Sequence, residues 1–219
     1  MRIVCSLLAV IVWCGCAPQG GRDFVAAPGT ARTVEVGILL RRQFTRDARE
    51  FKRYRHVHAV LGDGAVVSYN STDYDAPLWK GILFYAPGEV QTTADLRRVR
   101  PHYVSPAVAR SCAYKGRPGY KMVTDWVKFK VTPEQAAALS AAWAELAADP
   151  PAFRLAGKNC STRAYECFRR AGILPGGIPG IDRPENMLGP LRRYYPDLTV
   201  ETGWFGIDDA DRPYLEPLD

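Results

Sequence analysis

Histidine and cysteine are both scarce in this chain of 219 residues, three of the first and six of the second. Their spacing carries no metal-binding pattern. There is no CxxC pair, and no cysteine stands at zinc-finger distance from His56, His58 or His102, so no structural zinc, other metal or cofactor is expected. Internal repeats and low-complexity tracts are absent too, which sets aside solenoids and arrays. The longest apolar run, Ile3 to Trp13, falls short of the ~20 residues that a membrane-crossing helix needs. No nucleic-acid-binding signature occurs, so DNA and RNA are not expected as partners. What remains is the composition of one ordinary globular core, 47% hydrophobic and 24% charged, enough for one domain and too little for two large ones. The formal charge of +6 favours anionic partners such as phospholipid headgroups or acidic cell-wall polymers. Its paired arginines, Arg41-Arg42, Arg97-Arg98, Arg169-Arg170 and Arg192-Arg193, are scattered and read as solvated faces.

The N-terminus has the layout of a secretory signal: Arg2, a short apolar stretch and a small-residue end at Gly15-Cys16-Ala17. Gly15-Cys16 resembles the end of a bacterial lipoprotein signal, although Trp13 and Cys14 stand where that pattern has an aliphatic and a small residue. The resemblance implies lipidation of Cys16, a lipid anchor to the membrane and, with Ala17 following, an outer-membrane position facing the periplasm. A plain cut after Ala17 is the alternative. Residues 1–16 are then the signal, and 17–32, rich in Gly, Pro and Ala, form a flexible tether. Residues 33–205 form the domain, and the acidic residues 206–219 a loosely packed tail.

Removal of the signal takes away Cys5 and Cys14. Apart from Cys16, the cysteines left are Cys112, Cys160 and Cys167, an odd number that leaves at least one thiol free in an oxidising compartment. Cys160 and Cys167 lie on one predicted helix, roughly 10 Å apart along its axis, too far to bridge.

The first half of the domain reads as β-rich. Thr33 to Leu40 alternates as a strand, Arg55 to Leu61 and Ala65 to Tyr69 flank Gly62-Asp63-Gly64 as a hairpin, and Gly81 to Tyr85 and Lys121 to Val131 are further strands. Thr132-Pro133-Glu134-Gln135 opens a helix that runs to about Ala148, with a capping hydroxyl, proline at the first position and glutamine reaching back. Pro184 to Tyr194 is a last short helix.

Cys160 is the residue with the most to explain. It follows Asn159, a good N-cap type, and is followed by Ala164, Cys167, Phe168 and Ala171, the stripe of a helix with one buried face. A thiol at a helix start lies near unpaired N–H groups and the positive end of the dipole, so its pKa is expected to fall below the ordinary value. Its partner has to be a histidine. His56 and His58 point the same way on one strand, with Val57 and Ala59 on the other side.

A strand histidine before a Gly-Asp-Gly hairpin, then β-structure, a helix and Asn-Cys-Ser-Thr opening a second helix resembles the circularly permuted NlpC-like branch of the papain-like cysteine hydrolases. That branch includes the lecithin retinol acyltransferase relatives. Phe153-Arg154-Leu155 and Pro184-Glu185-Asn186-Met187-Leu188 look like its flanking segments. The resemblance implies an α+β fold, an antiparallel sheet packed against the helix that carries Cys160, with Cys160 as nucleophile. The family's register, six residues before the first turn glycine, selects His56 as base. His58, where a small residue is usual, stays open as the alternative base. The residue that orients the imidazole, often a second histidine in the family, falls on Ser68, a departure, or with a small shift of register on Asn70. The implied activity is hydrolysis of peptide amides in peptidoglycan stem peptides. Transfer or removal of a lipid acyl group, and a catalytically inactive binding module, are the alternatives.

Overall fold

The computed structural model describes Phe24 and residues 32–44, 52–72, 86–111, 121–178 and 183–218. The proposed signal, Cys16, most of the tether, the Gly81–Tyr85 segment and Cys112 lie outside the described residues. The described chain is α+β, as expected. Seven strands form one antiparallel sheet in the order β4-β3-β2-β1-β5-β6-β7. They are β1 Val34–Phe44, β2 Lys52–Val60, β3 Val66–Ser71, β4 Gly88–Gln91, β5 Lys121–Val131, β6 Thr199–Ile207 and β7 Pro213–Glu216.

The hairpin between β2 and β3 forms where Gly62-Asp63-Gly64 predicts it. Gly64 takes φ 87°, a left-handed conformation that a side chain would strain. Leu61 N donates to Ala65 O at 2.9 Å to close the turn. The two strands then part, because only Ala59–Val67 and Val60–Val66 pair. The opening this leaves beside His56 and Val57 is where the Cys160 helix arrives.

Each face of the sheet is covered. On one, Val36, Ile38, Leu40, Val57, Ala59, Val127 and Phe129 pack against the helices Pro133–Ala148 and Cys160–Arg170. The first helix opens as its sequence predicts: Gln135 N donates to Thr132 Oγ1 at 3.2 Å and Thr132 N to Gln135 Oε1 at 3.0 Å. The second buries Ala164, Cys167 and Phe168 and stops at Gly172, φ 70°. On the other face Leu39, Val60, Val66, Met122 and Trp126 meet Leu96, Tyr103, Val104 and Ala109. These come from the short helices Thr93–Val99 and Pro106–Ser111 and the 3-10 turn Pro101–Tyr103 between them.

The tail corrects the sequence reading. Residues 206–216 do not hang loose, because β6 runs to Ile207 and β7 pairs with it through Trp204–Glu216 and Phe205–Leu215. The acidic run there is turn chemistry: Asp208 Oδ1 accepts from Ala210 N and Arg212 N at 2.9 Å each, the side-chain turn that Asp favours. Pro184 to Tyr194 divides into a 3-10 turn, Pro184–Met187, and a helix, Leu188–Tyr194.

Candidate active site

Asn159 is the N-cap of the Cys160 helix. Its extended backbone turns the loop into the helix, and its side-chain oxygen accepts from Ser161 N at 2.9 Å and Thr162 N at 3.2 Å. Asn159 N donates in return to Thr162 Oγ1 at 2.8 Å, and Asn159 Nδ2 to Leu155 O at 2.7 Å. Cys160 is thereby fixed at the first helical position. It is a free thiol, buried in the cluster that contains Val57 and Ala59.

The main-chain N–H groups of Val57, Ser161 and Cys160 itself act on the sulfur, and Ser161 Oγ lies at 3.9 Å. These donors favour the thiolate, but burial outweighs them and pushes the thiol above its ordinary pKa. The expectation that a helix start lowers this pKa is therefore corrected. Desolvation is the larger effect, and at rest the sulfur carries its proton.

His56, His58, Ser68 and Asn70 lie on the other side of their strands. Together with residues from neighbouring strands they form a row of buried polar side chains across the sheet: Gln91 of β4, Ser68 of β3, His56 of β2, Arg41 of β1 and Thr124 of β5. Register supplies the row, since Gln91 is opposite Ser68, Arg41 opposite His56 and Thr124 opposite Arg41, and directly opposed residues share a face. Hydrogen bonds tie it. His56 Nε2 meets Ser68 Oγ at 2.6 Å, and Asn70 Nδ2 donates to Ser68 Oγ at 2.9 Å and to Gln91 Oε1 at 2.8 Å. Arg41 donates to Thr124 Oγ1 and, at 2.6 Å, to Tyr103 O.

Of the two candidate orienting residues, Ser68 touches the imidazole and Asn70 braces Ser68. Of the two candidate bases, His56 has a hydrogen-bond partner. His58 is fully buried with neither ring nitrogen hydrogen-bonded, and packs edge-on against His56 and Tyr103 with ring centroids 4.7 and 4.8 Å apart. Tyr103 stacks on His56, 7° from parallel at 5.4 Å. Burial first, then the positive charges of Arg100 and Arg41, hold the His56 pKa well below the ordinary histidine value. Burial lowers His58 in the same way, with Arg41 the next contributor. His102, which the sequence assigns no role, lies tilted against Tyr103 with ring centroids 4.4 Å apart, and burial brings its pKa down to about 4.

Cys160 reaches β2 at Val57, the residue after His56, whose main-chain N–H acts on the thiol. No hydrogen bond joins it to either imidazole among the described residues, because strand alternation sends His56 and Val57 to opposite faces. Asp125 is occupied elsewhere, on the opposite face, by Arg42 and by Thr202 Oγ1 at 2.8 Å. No group of three or more metal-ligating side chains occurs among the described residues.

Arg41 is the residue the sequence reading missed. It counts there as half of a solvated pair, yet it is 1% exposed. The available signal is its place in β1: Leu39 and Arg41 share a face in a strand whose other face, Val36, Ile38 and Leu40, is wholly apolar, so both faces had to be covered. Neither the family models nor the curated proteins nor the solved structures compared with this chain match it.

Proposed function

We propose that the protein is a cysteine hydrolase in which Cys160 is the nucleophile and His56 the base. The observation that carries this reading is the convergence on two consecutive residues of β2: the Val57 N–H acts on the sulfur, and His56 is pinned by Ser68. With Nε2–H donated to Ser68, whose two lone pairs serve both His56 and Asn70, Nδ1 keeps a free lone pair. Proton transfer requires that nitrogen and the thiol, which rest on opposite faces of β2, to be brought together as substrate binds. As Sγ bonds to the carbonyl carbon, its proton passes to Nδ1, and the main-chain N–H of Cys160, the helix-start donor that the Asn159 cap does not take, receives the oxyanion. The proton then goes to the leaving amine as the C–N bond breaks. Water, deprotonated by the same imidazole, hydrolyses the thioester. The lipoprotein-like N-terminus and the family resemblance favour peptide amides of peptidoglycan stem peptides as substrate, at the cell envelope. A lipid acyl ester suits the same apparatus.

One observation favours a second reading, a binding module with an idle site: the thiol sits above its ordinary pKa and has no bond to an imidazole. Turnover of peptidoglycan stem peptides decides between them, together with iodoacetamide alkylation of Cys160, with buried Cys167 as internal control. The hydrolase reading expects Cys160→Ser to abolish cleavage, His56→Ala to slow it by about 10²–10⁴-fold, and Ser68→Ala to slow it by less. Cleavage that survives Cys160→Ser, or a Cys160 as inert as Cys167 in every variant, overturns it.

A further inference from the structure

Arg41 is a buried cation with no acid beside it among the described residues. Its guanidinium is held by Thr124 Oγ1 and Tyr103 O and lies 4.6 Å from the Phe205 ring centroid and 5.4 Å from that of Tyr103. No carboxylate pairs with it among the described residues. A buried charge normally has a counter-ion, and this one has carbonyl, hydroxyl and ring faces instead. Burial brings its pKa to about 9, so it is still a cation at neutral pH. Directly across the ladder stands His56, and like charges so opposed repel.

We propose that Arg41 is a positioning residue for the base: from the facing place on β1, its unneutralised charge adds to burial and to Arg100 in keeping the His56 ring free of a proton until one arrives from the thiol. The inference rests on the Cys160–His56 reading and adds how that site is regulated. Around the His56 ring, β1 presents Arg41, β2 presents His58, β3 presents Ser68 and Asn70, and the segment after the Thr93–Val99 helix presents Arg100, His102 and Tyr103. None of these is an acid. The acid on that face of β4, Glu89, accepts from Gln91 Nε2.

The consequence is a resting pair of thiol and neutral imidazole, not a preformed thiolate and imidazolium. An imidazolium formed during attack lies opposite a fixed cation and gives its proton readily to the leaving amine. A protonated sulfur is also a poor target for oxidants, because reactivity follows the thiolate, which suits a free cysteine in an exported protein.

The test is titration of the His56 ring by NMR in the wild type, Arg41→Gln and Arg41→Lys, with Cys160 alkylation followed over the same pH range. In the wild type His56 should stay neutral well below pH ~6.5, the ordinary histidine value. Arg41→Gln should raise its midpoint and carry the onset of Cys160 alkylation to lower pH. Arg41→Lys should keep the wild-type midpoint wherever the lysine is charged. A midpoint unchanged in Arg41→Gln, with His56→Ala still silencing Cys160, overturns the role of Arg41 alone. Alkylation of Cys160 that ignores His56→Ala overturns the pair itself. Should Arg41→Gln not fold, a wild-type His56 that titrates at its ordinary value overturns the proposal without any variant.

Discussion

The two faces of the sheet differ in what they bury. One buries Val57, Ala59, Val127 and Phe129 under two long helices. The other buries, besides its own apolar cluster, a transverse row of Gln91, Ser68, His56, Arg41 and Thr124 beneath short helices. Cys160 belongs to the first face and its proposed base to the second, and β2 is the wall between them. The apolar face thus supplies the rigidity that holds a helix start against the Val57 main chain. The polar face supplies the charges that govern a proton. Stability and chemistry are separated by one strand, and substitutions on either side should separate them as well.

The largest effect is expected on the apolar face. Phe168 is fully buried, its ring centroid 6.0 Å from that of Phe129. Phe168→Ala should cost about 3–5 kcal/mol, read as a fall in the urea midpoint, while the pH profile of Cys160 alkylation in the folded protein keeps its shape. A profile that moves with Phe168 would erase the distinction between the faces.

Acid should act through the polar face. His56 and His58 are held below their ordinary pKa chiefly by burial. As pH falls through ~6.5, the unfolded chain binds protons that the folded chain refuses. Stability is therefore fully present above that value and is lost below it, by about 1.4 kcal/mol per pH unit for each such histidine. Replacing His58 by Leu should remove one proton from that slope, measurable as a shallower fall of the urea midpoint between pH 6.5 and 5.

The same division explains what the sequence made legible. Periodicity announces an apolar face, so β1, β5 and the helices at Pro133 and Cys160 stand out, with caps at Thr132 and Asn159 whose chemistry is local. Gly64 marks the hairpin for a local reason too. The polar row is invisible because each member is of a type usually found in water, and only register unites Arg41 with His56 and Thr124. The short strands β4 and β7 lack length to show alternation, and Asp208 to Asp211 resembles a solvated tail until its hydrogen bonds are seen. Cys160 and His56 are legible as chemistry, whereas the pKa of the thiol is not, because burial depends on what packs over the helix start.

The smallest effect concerns the hinge between the faces, Asn159. Its side chain caps the helix and ties it to Leu155, and no member of the polar row touches it among the bonds described. Asn159→Ala should cost about 1 kcal/mol, as loss of a cap does, and Asn159→Ser should restore most of it by supplying a hydroxyl acceptor. The thiol's N–H donors, Val57 among them, survive in both variants, and so does the opposition of Arg41 and His56. The urea midpoint should accordingly follow the cap, while the pH at which Cys160 begins to alkylate stays where the wild type has it. A shift of that onset as large as the one expected from Arg41→Gln would place control of the proton in the helix start and not across the sheet.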